Sequence, residues 1–150
     1  MSQSLVKNTV HLVFSTKDRR AILRHKEREE LHSYITGLFR NKNSPLIEIN
    51  SVGDHIHILY NQSKNIALAK VVEQVKTSSS VWLKEQHKAY GKFAWQAGYG
   101  AFSVSNSHVE AVRKYIRTQE EHHAQEDFQT EFRRFCKKNG VPLDERYVWD

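Results

Sequence analysis

The sequence predicts an α+β fold in which an antiparallel sheet carries helices on one face and further helices follow it. Three observations predict it. Runs with two-residue alternation and runs with helical spacing follow one another as strand, helix, strand, strand, helix, strand, then helices. The second and third strand-like runs are joined by Gly53-Asp54, a two-residue hairpin signal. No internal repeat or low-complexity linker breaks the chain, so residues 1–150 read as a single domain. That order is the split βαβ arrangement, ferredoxin-like or RRM-like, and the open face of its sheet is free to present a site.

The elements follow in order. From Thr9 to Phe14, Val10, Leu12 and Phe14 alternate with Thr9, His11 and Val13, as in a strand. A basic connection comes next, with Lys17, Arg19, Arg20, Arg24, His25 and Lys26. Leu31, Tyr34, Ile35, Leu38 and Phe39 fall on one helical face, and Asn41 to Pro45 ends that helix. Leu46 to Val52 and His55 to Tyr60 form the hairpin, and the Gly-first turn favours type II′. Leu68, Val71, Val72, Val75, Ser79 and Trp82 place a helix from about Ile66 to His87, closed by Gly91. Phe93 to Ser105 is aromatic, glycine-bearing and extended. Ser107 and Glu110 form a capping-box pattern ahead of a helix with Val109, Val112 and Ile116 on one side. Phe128, Phe132 and Phe135 stripe a last helix that stops near Asn139-Gly140.

Composition narrows the function classes. Hydrophobic residues at 39% and charged residues at 27% describe an ordinary globular chain, not a disordered one. No apolar run approaches the ~20 residues of a membrane span, and the N-terminus has no signal-peptide pattern. Cys136 is the only cysteine, which points to a reducing compartment, the cytoplasm. The balance of 23 basic to 17 acidic residues gives a charge of +6 and favours a polyanionic partner.

Two short patterns carry possible chemistry. His55 and His57 flank Ile56 on a strand, so their side chains share one face, roughly 7 Å apart at the backbone. Neutral imidazole is a common metal ligand. Spacing alone favours two half-exposed histidines bonded to neighbours or water, because His-x-His recurs by chance and lacks a third ligand. Tyr115 and Gln119 stand at i and i+4 and share a helical face. An amide oxygen one turn from a tyrosine hydroxyl can join two imidazoles around Mg²⁺ or Mn²⁺, and the hydroxyl can attack phosphorus. Tyr115 also fits a core-edge aromatic. Tyr34, Tyr60, Tyr90, Tyr99 and Tyr147 compete for the role, although Tyr60 should face the core and Tyr34 lies in an apolar stripe. His122-His123 reads as a solvated pair, since adjacent helical side chains diverge by ~100°. Lys17, Arg19, Arg20 and Arg24 fit a phosphate-backbone contact as well as a solvated connection. Trp82, Trp95, Tyr99 and Phe102 fit base stacking or core filling.

Beyond these patterns, the chain resembles the single-tyrosine HUH transposases of bacterial insertion sequences. His55-Ile56-His57 matches the His-hydrophobic-His motif that names them, and Lys114 to Gln119 matches their tyrosine helix. Phe93 to Val104, His11 to Lys17 and Gly140 to Trp149 are similar to further family stretches, so the resemblance spans essentially the whole chain. It implies a ferredoxin-like enzyme acting on single-stranded DNA with hairpin ends. It implies Tyr115 as nucleophile, His55, His57 and Gln119 as ligands of Mg²⁺ or Mn²⁺, and a 5′-phosphotyrosine intermediate with a free 3′-hydroxyl. It further implies a homodimer whose sites pair the histidines of one subunit with the tyrosine helix of the other. Two other readings stay open: a domesticated relative that binds or processes genomic palindromic repeats, and a non-catalytic RNA-binding module of the same fold.

Overall fold

The computed structural model describes residues 2–150. Its sheet has four strands: β1 (Thr9–Ser15), β2 (Leu46–Ser51), β3 (His55–Asn61) and β4 (Gly100–Ser103). They lie in the order β2-β3-β1-β4, all neighbours antiparallel, which is the predicted split βαβ topology. Two long helices, α1 (His25–Asn41) and α2 (Leu68–Gln86), cross one face. Three shorter ones, α3 (Val109–Arg117), α4 (Gln119–His123) and α5 (Phe128–Lys138), follow β4. Among the described residues, no helix is long and apolar enough to cross a membrane.

Strand alternation divides the core. Val10, Leu12 and Phe14 of β1 and Ile56, Ile58 and Tyr60 of β3 join Leu31, Ile35, Phe39, Val71, Val75 and Leu83 in one cluster under α1 and α2. Each of these large side chains contributes roughly 1.5–3 kcal/mol by leaving water. Val13 points the other way, into a second cluster with Phe102, Phe128, Phe132, Phe135 and Cys136. The face expected to lie open is therefore covered, and every residue of β1 is buried.

Several local expectations change. His25 and Lys26 belong to α1 and not to the basic connection: Glu27 turns inward and pairs with Arg24, which starts the helix early. Gly53 sits in the two-residue hairpin loop closed by Val52 N–H to the His55 carbonyl (3.1 Å), but its φ is not positive, so the turn is not type II′. A Cβ there would lie 3.1 Å from the Ala21 Cβ, so close approach of the basic connection accounts for the glycine. The capping box does not form. A 3-10 turn over Asn106–His108 precedes α3, and the Ser107 hydroxyl contacts His108 Nδ1 instead of the helix backbone. Only four residues of the long aromatic segment pair as β4, while Trp95 makes an isolated bridge to Thr16 and donates its indole N–H to Ser79 Oγ (3.0 Å). Ser79 of α2, buried in the helix's inner face, thus has an interior partner.

Two packing features give measurable expectations. His32 on α1 is held neutral, its pKa lowered to about 4 by burial and then by Arg28, with Nε2 against Ser51 Oγ at 2.7 Å. A histidine depressed in the folded state gives stability that is complete above its unfolded value near 6.5 and is lost as pH falls through the folded value. Urea unfolding should therefore become easier between about pH 6.5 and 4. His32→Gln should flatten that part of the profile. At Gly100 an added Cβ would lie 2.7 Å from Phe132 Cε2 and 3.0 Å from Phe102 Cε2. Gly100→Ala should cost about 1–3 kcal/mol by pushing α5 away from β4, read from the same unfolding curves.

Candidate active site

β3 presents His55 and His57 on the face that α3–α5 cover, both essentially without solvent exposure. Their outer nitrogens are anchored. His55 Nδ1 donates to Asp54 Oδ1 at 2.7 Å, and His57 Nδ1 lies 2.8 Å from Nε2 of the buried His11 on β1. Such partners fix ring orientation and aim both Nε2 atoms at a common point. At that point stands Glu131 of α5, only 2% exposed. Its Oε1 is 2.9 Å from His57 Nε2 and 3.2 Å from His55 Nε2. Its Oε2 accepts from Gln119 Nε2 at 3.0 Å and, in a short bond, from the Tyr115 hydroxyl.

Tyr115 and Gln119 do reach the histidines, but not along one continuous helix. The helix breaks at Thr118, which caps α3, and Gln119 opens α4. The spacing survives the break because the Thr118 N–H and the Thr118 hydroxyl still bond the Lys114 carbonyl. Tyr115 is half-buried, its ring centroid 6.0 Å from that of His57. Gln119 is fully buried with Nε2 3.1 Å from His55 Nε2. His122 and His123 are not the solvated pair expected: the His122 ring stacks on Tyr115 at 4.2 Å, and the His123 ring lies 5.4 Å from His55. All these contacts form within one chain.

Charge is balanced around Glu131. Burial alone would raise its carboxyl, but bonds and charge from His55 and His57 outweigh this and hold it far below the usual carboxylate range. The two imidazoles diverge. Burial lowers both; Asp54 and Glu131 together raise His55 above its ordinary value, while His57, with one carboxylate and a histidine neighbour, stays lowered. Burial, then the bond to Glu131, raises the Tyr115 phenol, with Arg134 acting in the opposite sense.

The donor set fits a divalent cation. One nitrogen atom, His55 Nε2, faces both an amide N–H and a carboxylate oxygen, and no single protonation state satisfies both. Gln119 Oε1 is buried with no hydrogen-bond partner. The amide's nitrogen and oxygen are interchangeable by a flip. With Oε1 turned inward, four lone-pair donors converge. The ligand atoms of His55, His57 and Glu131 all lie within 4.8 Å of one another. Neighbouring donors are 2.9–3.2 Å apart, close to the ~3.0 Å edge of an octahedron with ~2.1 Å bonds. Sequence reasoning missed Glu131. The signal was present: Phe128, Glu131, Phe132 and Phe135 share one stripe of α5, and a carboxylate inside an apolar stripe requires partners.

The basic residues lie at the His55 end. Lys17, Asp18 and Arg19 form a 3-10 turn with Asp18 and Arg19 at positive φ, and the Arg19 guanidinium lies 5.8 Å above Trp149, which packs on Phe128 beside His55. Lys17 and Arg20 are exposed, while Arg24 is tied to Glu27 and lies over Tyr90. Trp95 and Phe102 are buried and Trp82 stacks on Tyr34, so these three fill the core; Tyr99 stays partly exposed.

The chain belongs to the IS200-like transposase family, whose model matches residues 4–119 and so includes His55, His57, Tyr115 and Gln119. It is 28% identical over 114 residues to the transposases for insertion sequence element IS200 of Salmonella typhimurium and Salmonella typhi, covering 73% of this chain and 74% of each relative. Among solved structures, a candidate transposase from Deinococcus radiodurans R1 superposes with a TM-score of 0.61 at 19% identity, over 79% of this chain and 98% of that one. A REP-associated tyrosine transposase bound to a REP hairpin superposes with a TM-score of 0.61 at 16% identity, over 82% of this chain and 74% of that one. Both share the fold. Glu131 lies beyond the matched segment.

Proposed function

We propose that this transposase cleaves and rejoins single-stranded DNA through a covalent link to Tyr115. The observation that carries the reading is the Tyr115 hydroxyl, held by Glu131 beside two buried histidines whose Nε2 atoms converge. His55, His57 and Gln119 would hold Mg²⁺ or Mn²⁺, with Glu131 as a fourth donor. When bound, such an ion supplies Lewis-acid polarisation of a phosphate oxygen. Tyr115 attacks phosphorus: its phenolic O–P bond forms as the P–O3′ bond breaks, the phenol loses its proton, and the 3′-oxygen leaves as a hydroxyl after gaining one. A later 3′-hydroxyl reverses the step and frees the tyrosine. His11 and Asp54 orient the two imidazoles, and the surrounding phenylalanines exclude water.

Exposed Lys17 and Arg20, with Arg19 and Arg24, would contact the phosphate backbone near the His55 end. Both clusters share β1, which supports one functional domain over residues 1–150. A hairpin-bearing strand is the favoured substrate, since the REP-associated relative is bound to one. The same relative supports a second reading, a host role on palindromic repeats that uses the same chemistry.

The direct test is to incubate the protein with Mn²⁺ and a single-stranded oligonucleotide carrying the DNA that flanks its gene. A denaturation-resistant adduct with phosphotyrosine at Tyr115 is expected. An adduct elsewhere, or none, would sink the reading. The family resemblance implies a homodimer with shared sites, whereas the geometry of the chain favours a site built by one subunit. Mixing His57→Ala with Tyr115→Phe separates the two. Sharing restores one intact site and adduct formation; the within-chain arrangement, which we expect, restores none.

A further inference from the structure

A cleft of about 440 Å³ opens on the solvent side of Tyr115, between the end of β4, the start of α3 and the outer face of α5. Phe102 and Phe135, both buried, lie on its floor, and the exposed Arg134 and Lys138 give its rim positive charge. The Tyr115 hydroxyl stands on the boundary: it donates inward to Glu131 and accepts from Arg134 Nη2 at 2.8 Å. The Arg134 guanidinium lies over the rings of Tyr115 and Phe135, 5.6 and 5.1 Å from their centroids. Its other polar partner is Glu126, through the same Nη2 at 2.6 Å, and a guanidinium has five N–H donors to distribute.

We propose that this cleft receives the nucleotide next to the scissile phosphate of a single DNA strand, and that Arg134 grips that phosphate. The inference rests on the reading of Tyr115 as nucleophile. In-line attack brings phosphorus to ~3–3.5 Å from the phenolic oxygen. A guanidinium already bonded to that oxygen then lies within reach of the non-bridging phosphate oxygens, and its planar fork matches them. The cleft's volume fits one nucleotide, its accessible apolar lining of Ala111, Val112 and Tyr115 suits a base, and its cationic rim suits the backbone. Arg134 sits one turn after Glu131 on α5, so a single helix supplies a donor to the buried centre and a clamp to the open side. Both residues lie outside the segment the family model covers.

The test uses the full chain without metal, so it reads binding and not catalysis. Anisotropy of a fluorescein-labelled oligothymidylate about 15 nucleotides long is followed from about 50 to 200 mM NaCl. Removing one cation that neutralises a phosphate should reduce the slope of log K against log salt by ~0.7. Arg134→Ala and Lys138→Ala should each show about that reduction, whereas Lys84→Ala, on α2 across the sheet, should show none. With 5-iodouracil in place of thymine, photocrosslinks should map to peptides carrying Phe102, Tyr115 or Phe135. Unchanged slopes in both rim variants, crosslinks confined to other surfaces, or no binding by the wild-type chain would each overturn the proposal. If Arg134→Ala proves unfolded by circular dichroism, Lys138→Ala and the crosslinks decide. DNA binding in the cleft of a protein that forms no tyrosine adduct would overturn the nucleophile reading alone, whereas adduct formation with unchanged slopes would overturn the cleft alone.

Discussion

Tyr115→Phe is expected to lower the rate of covalent adduct formation by ~10⁴-fold or more while leaving Mn²⁺ affinity unchanged. The ring, its stacking on His122 and its place beside Phe135 remain. Only the hydroxyl that bonds Glu131 and Arg134 goes. A decrease of about 1–2 kcal/mol in stability accompanies it, because a buried carboxylate oxygen is left with one donor fewer. Calorimetric Mn²⁺ titration alongside the adduct assay checks both halves. A variant that still forms adduct at the wild-type rate removes Tyr115 from the chemistry.

Glu131→Ala should have the largest effect on the centre itself. One side chain serves His55, His57, Gln119 and Tyr115, and it carries the negative charge that His55 balances. Its removal leaves three buried polar groups and the half-buried Tyr115 hydroxyl without their shared acceptor, which costs on the order of 3–5 kcal/mol. Metal affinity should fall by at least the ~10- to 100-fold seen when an outer partner of a ligand is deleted, because Glu131 is itself a donor. Thermal unfolding reads this cleanly: at ~100 times its dissociation constant an ion stabilises the wild-type fold by ~2.7 kcal/mol. At the same concentration that stabilisation should drop to ~1.4 kcal/mol or less in the variant, and the Mn²⁺-induced rise in Tm should shrink with it. Glu131→Gln, which keeps the volume, separates the effect of charge from the effect of packing.

The histidine pair was legible because strand alternation depends only on backbone geometry. His55 and His57 had to share a face, and Ile56, Ile58 and Tyr60 had to take the other. Tyr115 and Gln119 were legible for a related reason, since one helical turn relates them even where the helix is interrupted at Thr118. What the sequence hid was tertiary. Nothing local says that α5 folds back over β3, so Glu131 was not singled out. The same closure turned His122 from a solvated side chain into a stacking partner of Tyr115, and the expected open face into an interior. Gly53 and Ser107 misled for local reasons: a steric neighbour, Ala21, explains the first, and a 3-10 turn displaced the second from its capping position.

The sheet divides two interiors with opposite tastes, aliphatic on the α1/α2 side and imidazole-rich on the α5 side, and a strand's parity alone decides which residue meets which. That makes the chain intolerant of a particular kind of genetic change. Deleting or inserting one codon within β1 or β3 would swap the parity of all residues beyond it, turning isoleucines toward Glu131 and histidines toward Leu31 and Val75. Two-codon changes would preserve parity, and single-codon changes in the Ser63–Asn65 connection would leave both strands in phase. A codon-deletion scan scored for folded protein should therefore alternate between failure and partial tolerance within the central strands, and show no such alternation outside them.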